Sequence, residues 1–283
     1  MIAYHILIHI NERRIDVKNV LFLGRDLMSA HMAMELKDKY NIDKVKIVDT
    51  NDDLRKIKFN DFDIFILPIR GITNDGIIHS IYEDLVIKKE MFNNLSSKKI
   101  LFVNNSNQFL KDCSNNLDII TYNNDDKLQE EKDFLVADAI FSIMAKERCK
   151  NIGILGYDHL AKLVMSLGQN FKYRVGVNDI YQLLELENIG FYLSDTLKLN
   201  QIIHQSDLVI NTISGHILTE NALKDNEDVY ILDVSDYPYG VSDEVLNTGM
   251  INYHFEPYLF EKHAPYQMGK ILTRKIFKEG TRR

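Results

Sequence analysis

Six residues, Gly156-Tyr157-Asp158-His159-Leu160-Ala161, have the spacing of a turn that brings backbone against a dinucleotide's pyrophosphate. Such a turn needs one glycine to bend from strand into helix and a second to let the phosphates approach. A third small residue is needed where the helix meets the strand. Gly156 and Ala161 meet the first and third needs. Asp158 stands in the second place, where it adds a side chain and a negative charge. Two unit charges about 4 Å apart repel by roughly 1 to 4 kcal/mol at effective dielectrics of about 80 to 20. Aspartate is also a residue that caps helices by accepting from their free backbone N–H groups. The spacing therefore leaves Asp158 two roles, a helix cap or part of a nucleotide site.

Other residues could complete a site. Asp179, some 20 residues past the turn, suits a ribose hydroxyl; no Arg or Lys follows its strand directly, which favours NAD over NADP. Asn211-Thr212-Ile213 and Val234-Ser235-Asp236 end two later strands, where ligands are met in open α/β sheets, although ordinary turn chemistry accounts for either as well. Thr212 and Ser235 offer hydroxyls there. In the first half, the matching stretch Leu67 to Gly76 carries Gly71, Thr73 and Gly76 as backbone and hydroxyl donors, and Arg70 as a clamp for a carboxylate. Asp138 stands among Val136, Ala137, Ala139, Ile140 and Phe141, so it either faces solvent by helical phase or is a buried acid with a raised pKa. His263, just before Ala264-Pro265, is a candidate proton shuttle at the start of the last helix; a structural imidazole is the alternative.

The elements that must hold these residues can be read from an echo. Lys18-Asn19-Val20-Leu21-Phe22-Leu23-Gly24-Arg25-Asp26 recurs 132 residues later as Lys150-Asn151-Ile152-Gly153-Ile154-Leu155-Gly156-Tyr157-Asp158. Asp63 to Gly71 is matched in turn by Asp207 to Gly215. Short apolar runs ending in Gly are strands buried on both faces that turn into helices. Two strand–turn–helix–strand units in one order mean two doubly wound α/β domains, with ligand expected in the crevice between them. Strands are expected at 3–9, 19–23, 44–48, 63–68, 99–103 and 117–121, with helices after Gly24 and after about Leu85. Asn104, Asn105 and the Asn-rich 114–125 region have the turn chemistry of loops. A helix at about 128–148 bridges to the second half. There, strands are expected at 151–155, 173–177, 190–193, 207–211, 229–234 and 250–253. Helices are expected at 159–167, 179–186, 196–204, 217–223 and 266–279, the last long enough to cross back onto the first domain.

Bulk composition narrows the function classes. The 283 residues are 45% apolar and 27% charged, as in ordinary globular domains, and the net charge is −7 with Lys and Arg scattered. That argues against a nucleic-acid surface. Cys113 and Cys149 have no metal-ligand spacing, so neither a metal site nor a disulfide is expected. No run approaches the roughly 18 to 20 apolar residues of a membrane span, and residues 1–10 lack the marks of a signal peptide. A cytoplasmic protein is expected.

Taken together, these segments resemble the dipicolinate synthase A family, roughly from Asn19 to Lys278. Gly24-Arg25-Asp26 is similar to the family's Gly-Gly-Asp turn, and Leu67-Pro68-Ile69 with Thr73 and Gly76 to its Leu-Pro-Val…Thr-x-x-Gly loop. Asp138-Ala139 resembles the Glu-Gly of its bridging helix. Ile210-Asn211-Thr212-Ile213 and Leu232-Asp233…Pro238-Tyr239-Gly240 resemble its later strand ends. Ala264-Pro265 with Gly269 is similar to its last helix start. The chain departs from the family at Asp158 and Ala161 for glycines, Asn178 for an Arg and Tyr266 for a Lys.

The resemblance implies two Rossmann-like doubly wound parallel-sheet domains, at 1–130 and 131–283. It implies an NAD(P)-dependent oxidoreductase, NAD favoured, acting on a cyclic dicarboxylate. It also implies a homodimer, with a further partner in a second synthase subunit. Under it, Gly156, Asp158, Ala161, Asp179, Asn211, Thr212, Ile213 and Ser235 would bind the cofactor. Arg70, Gly71, Thr73 and Gly76 would bind substrate, and His263 and Asp138 would be catalytic. The alternative is a two-domain scaffold or regulatory protein with no nucleotide. A related 2-hydroxy- or amino-acid dehydrogenase is less favoured, because no Arg–acid–His set is legible from spacing.

Overall fold

The computed structural model describes residues 19–40, 42, 44–122, 125–223, 226, 229–235, 239–247 and 252–280; the strand expected at 3–9 lies outside them. The chain forms two compact units, Met1–Gln129 with Pro265–Arg283, and Glu130–Ala264.

The first unit runs β1 (Asn19–Leu23), α1 (Ser29–Tyr40), β2 (Lys44–Val48), α2 (Asn51–Arg55), β3 (Ile64–Ile66), β4 (Ile77–Ile78), β5 (Leu85–Val86), α3 (Lys89–Asn93), β6 (Lys99–Val103), α4 (Gln108–Asp112) and β7 (Leu117–Thr121). Its sheet is parallel in the order β2-β1-β3-β6-β7, and β4 and β5 make a small antiparallel pair. This is one of the two common doubly wound orders, and its switch point falls between β1 and β3. Val20, Leu21, Phe22 and Leu23 are all buried, as a central strand covered on both faces requires. Phe59, Phe65 and Phe92 pack ring against ring in the same core.

α5 (Asp126–Lys146) carries the chain into the second unit. There follow β8 (Asn151–Leu155), α6 (His159–Leu167), β9 (Lys172–Val177), α7 (Ile180–Leu186), β10 (Gly190–Tyr192), α8 (Thr196–His204), β11 (Leu208–Asn211), α9 (Glu220–Leu223), β12 (Tyr230–Asp233), α10 (Asp243–Asn247), β13 (Asn252–Phe255) and α11 (Leu259–His263). All six strands are parallel, in the order β10-β9-β8-β11-β12-β13. This is the strand order of dinucleotide-binding sheets, with the switch point between β8 and β11.

The last helix, α12 (Pro265–Gly280), belongs to the first unit, although the sequence reading grouped it with the second domain. Met268, Leu272 and Ile276, four residues apart, are its buried stripe. It packs along α1, with Phe277 stacked on Tyr40 at 4.0 Å and Tyr266 edge-on to His31. Lys275 pairs with Asp125, whose carboxyl is held below its ordinary value by that contact first and by the Leu128 amide second.

Several expectations need correction. The helix expected at 217–223 is only α9, because Leu218 forms a parallel bridge with Val241 instead. The last described strand is Asn252–Phe255, and the first two positions of the strand expected at 250–253 lie outside the described residues. His263 does lie just before the last helix, and it closes a separate short helix, α11, that the sequence did not show. α2, α4, α10 and the β4–β5 pair were not foreseen, since elements of two to five residues show no usable periodicity.

Candidate functional site

Gly156 follows β8 with φ +113°, and a Cβ on it would lie 2.2 Å from Thr212 Oγ1 and 3.0 Å from Ile213 Cγ1. Only glycine combines that backbone with that approach. Thr212 is fixed in turn, donating from N (2.9 Å) and from Oγ1 (3.2 Å) to the Leu155 carbonyl. The structure thus brings the Gly156 turn and the Asn211–Ile213 segment together at the switch point of the second unit.

Asp158 is the N-cap of α6: its Oδ1 accepts from the Ala161 N–H at 2.9 Å. The first bond within the helix is Lys162 N–H to Asp158 O, so the amides of His159 and Leu160 precede the helix ladder. Around this exposed carboxylate, His159 Nδ1 lies 3.0 Å from Asp133 Oδ2, and Tyr157 donates to Glu185 at 2.9 Å. Lys162 stands over the Tyr157 ring and 3.5 Å from Glu185. Burial first, and Glu185 second, hold the Tyr157 phenol above its ordinary value. Asp179 is exposed and caps α7, its Oδ1 accepting from Tyr181 N (2.7 Å) and Gln182 N (3.1 Å).

Asn211 and Ser235 are buried in a network centred on Asp233, a residue outside the candidate set read from the sequence. Asp233 Oδ1 accepts from Asn211 Nδ2 (3.0 Å), Ser235 N (3.0 Å) and Ser235 Oγ (2.6 Å). Its Oδ2 accepts from Gly240 N (2.8 Å) and the Tyr253 hydroxyl (2.5 Å). Five donors satisfy a fully buried carboxylate and tie the carboxyl ends of β11 and β12 to each other and to β13. Asn211 Oδ1 also accepts from Ile213 N, which fixes the segment lying against Gly156. Asn211 and Ser235 therefore shape the site from behind, and Thr212 and Ile213 line it. Polar residues at successive strand ends were the available signal for Asp233; Tyr253, inside a strand, gave none.

His263 and Asp138, the two acid–base candidates, are brought together. His263 Nε2 lies 3.0 Å from Asp138 Oδ2. Asp138 is 57% exposed, which decides between its two readings: it faces solvent. In the first unit, Thr73 and Gly76 form the turn into β4, with Gly76 N donating to Thr73 O and Ile77 N to Thr73 Oγ1. Gly71 closes a turn onto the Pro68 carbonyl. These three shape a loop, and Arg70 is exposed upon it.

A dinucleotide can be tested against this geometry. The glycine turn lies at the switch point, two helix amides are presented, and Asp179 stands at the end of the second strand, as the ribose requires. Asp158 is the opposing charge. The residues fit the group, and Asp158 sets its cost. Among the described residues, no group of three or more His, Cys, Asp or Glu is placed to hold a metal ion. None of their helices is long and apolar enough to cross a membrane. Cys113 and Cys149 are free and buried, and desolvation raises both thiols.

Residues 29–123 match the family described as the N-terminal domain of dipicolinate synthase A. Over 241 residues, 79% of each chain, the protein is 23% identical to dipicolinate synthase A of Bacillus subtilis (strain 168). Its fold is similar to that of dipicolinate synthase A from Bacillus halodurans, at a TM-score of 0.77 and 20% identity over 93% of this chain and 97% of that one. It is also similar to an NAD-complexed D-isomer specific 2-hydroxyacid dehydrogenase from Lactobacillus delbrueckii ssp. bulgaricus, at 0.50 and 11% over 94% and 99%. The resemblance read from the sequence and the two-domain dehydrogenase-type α/β fold are both borne out.

Proposed function

We propose that this chain is a dipicolinate synthase A-like oxidoreductase that uses NAD(H) on a cyclic dicarboxylate. The observation that carries this reading is the Gly156 turn, set against Asn211–Ile213 at the switch point of a dinucleotide-type sheet. The NAD complex of the dehydrogenase from Lactobacillus delbrueckii supports the cofactor class. Bound nicotinamide would supply hydride transfer. The chain's own part is to bind and orient. The amides of His159 and Leu160 would meet the pyrophosphate, Asp179 would accept from the ribose diol, and the Asp233 network would keep Thr212 and Ile213 in place. His263, oriented by Asp138, would hold or release the proton that accompanies reduction or oxidation of the ring. The same reading includes a homodimer. Titration of NADH into the purified protein, then nicotinamide absorbance with a cyclic dicarboxylate present, tests it. Saturable binding with oxidation or reduction supports it, and no binding overturns it.

One observation favours a second reading, a scaffold or regulatory protein that works without nucleotide. Asp158 fills one amide of the α6 terminus with a carboxylate, and Glu185 and Asp179 add two more acids nearby. Under that reading NADH fails to bind the native chain but binds once Asp158 is replaced by glycine.

A further inference from the structure

Arg25, which follows the Gly24 turn of the first unit, has an unusual setting. Its backbone is fastened on both sides by the loop leading to β5: Arg25 N donates to Ser80 Oγ at 2.8 Å, and Ile81 N donates to Arg25 O at 3.0 Å. Nε lies 3.2 Å from Asp49 Oδ2, a charge contact without an aligned hydrogen bond. The guanidinium stands over the Tyr82 ring, 5.2 Å from its centroid, and Tyr82 itself is 67% exposed. One edge of the guanidinium is thus held by Asp49 and one face by Tyr82. The outer Nη edge is not buried, and it has no hydrogen-bond partner among the described residues.

The neighbouring turn carries Arg70. The two turns are locked side by side, because Asp26 Oδ2 accepts from Ile69 N at 3.0 Å and a Cβ on Gly24 would lie 2.9 Å from Pro68 Cγ. Asp26 Oδ1 meanwhile takes the Met28 and Ser29 amides, so the start of α1 is already capped. Two arginines, Arg25 and the exposed Arg70, therefore stand on adjoining turns at this switch point. An Nη edge presents two parallel N–H donors, the match for a carboxylate.

We propose that Arg25 is a carboxylate-recognition residue of the first unit, taking one carboxylate of a small dicarboxylate while Arg70 takes the other. This rests on the dicarboxylate part of the proposed function and not on its nucleotide part. Asp49 and Tyr82 fix the plane of the fork, so little side-chain freedom is lost on binding.

The test is calorimetric titration of the full chain, without nucleotide, using pyridine-2,6-dicarboxylate and pyridine-2-carboxylate as probes. The dicarboxylate is expected to bind the native chain about tenfold or more tightly than the monocarboxylate, as loss of a charged hydrogen-bonded pair implies. Arg25→Gln should weaken it by a similar factor. Arg25→Lys, which keeps the charge and loses the fork, should weaken it less. Tyr82→Leu, at an exposed position, should weaken it severalfold with an unchanged thermal transition, and it keeps the proposal testable if the Arg25 variants misfold. Absence of binding to the native chain, or equal affinities for native and Arg25→Gln proteins of equal stability, overturns the proposal. Failure of NADH to bind leaves it standing, so the two readings fail separately.

Discussion

His263 Nε2 lies 3.0 Å from Asp138 Oδ2, a contact that joins the short helix α11 to the middle of α5 across 125 residues of chain. Both side chains keep solvent access, at 31% and 57%. An exposed pair adds little stability, about 0 to 1 kcal/mol. A carboxylate that orients an imidazole, by contrast, readies its other nitrogen for proton transfer. His263→Gln is therefore expected to lower turnover roughly a hundredfold to ten-thousandfold, the range for a general acid or base. Stability should change by no more than about 1 kcal/mol. Steady-state rates and denaturant unfolding, measured on one preparation, check both. Wild-type turnover in the variant would reduce the pair to a surface contact.

Asp158 is expected to oppose nucleotide while capping α6. Asp158→Gly should tighten NADH by about fivefold or more, given repulsion of roughly 1 to 4 kcal/mol. It should cost only a few tenths of a kcal/mol in stability, since glycine is itself a tolerated cap. Asp158→Ala should cost about 1 kcal/mol. Weaker NADH binding by the glycine variant would mean that the carboxylate contacts the nucleotide favourably.

Cofactor choice should follow Asp179. It faces solvent beside Asn178, and Arg174 lies back along β9, four residues or about 13 Å of strand away from Asn178. NADH is expected to bind more tightly than NADPH, and Asp179→Arg should narrow the difference. The same substitution removes the cap of α7, so a loss of about 1 kcal/mol should accompany it. Tighter binding of NADPH by the native protein would place a cation elsewhere, with Lys162 and His159 beside the turn as the first candidates.

Alkali should weaken the second unit through two phenols. Burial pushes Tyr173 up to about 12, and its hydroxyl donates to the Gly168 carbonyl at 2.8 Å. Burial first, and the hydrogen bond to Asp233 second, raise Tyr253. Unfolded phenols release their protons near pH 10, where the folded ones retain theirs. The unfolded state then binds fewer protons, so stability is full below about pH 10 and falls as pH rises above it. Tyr253→Phe should flatten that fall while lowering stability at neutral pH, because Asp233 loses a donor. A variant with the same alkaline slope as the native protein would contradict the assignment.

The two glycine turns, the central strands and the long helices were legible because their signals are local. Four-residue apolar runs ending in Gly24 and Gly156 specify buried strands and turns without reference to anything distant. What the sequence could not show was convergence. Asp138 and His263 each looked ambiguous until folding set them 3.0 Å apart. Asp233 stood in a resembling segment but not among the candidate site residues, because its weight comes from five donors spread over Asn211, Ser235, Gly240 and Tyr253. Arg25 read as a turn residue, since the contacts that fix its guanidinium come from Asp49 and Tyr82, 24 and 57 positions away. The short helix α11, which His263 closes, was not legible, because four- and five-residue helices carry too little periodicity to be read.

Whether the Gly156 turn holds NAD(H) is decided by calorimetric titration of NADH into the native protein and into Asp158→Gly. Saturable binding to one site per chain is expected in the native protein, and tighter binding in the variant. No binding to the native chain, with or without binding to the variant, would contradict it.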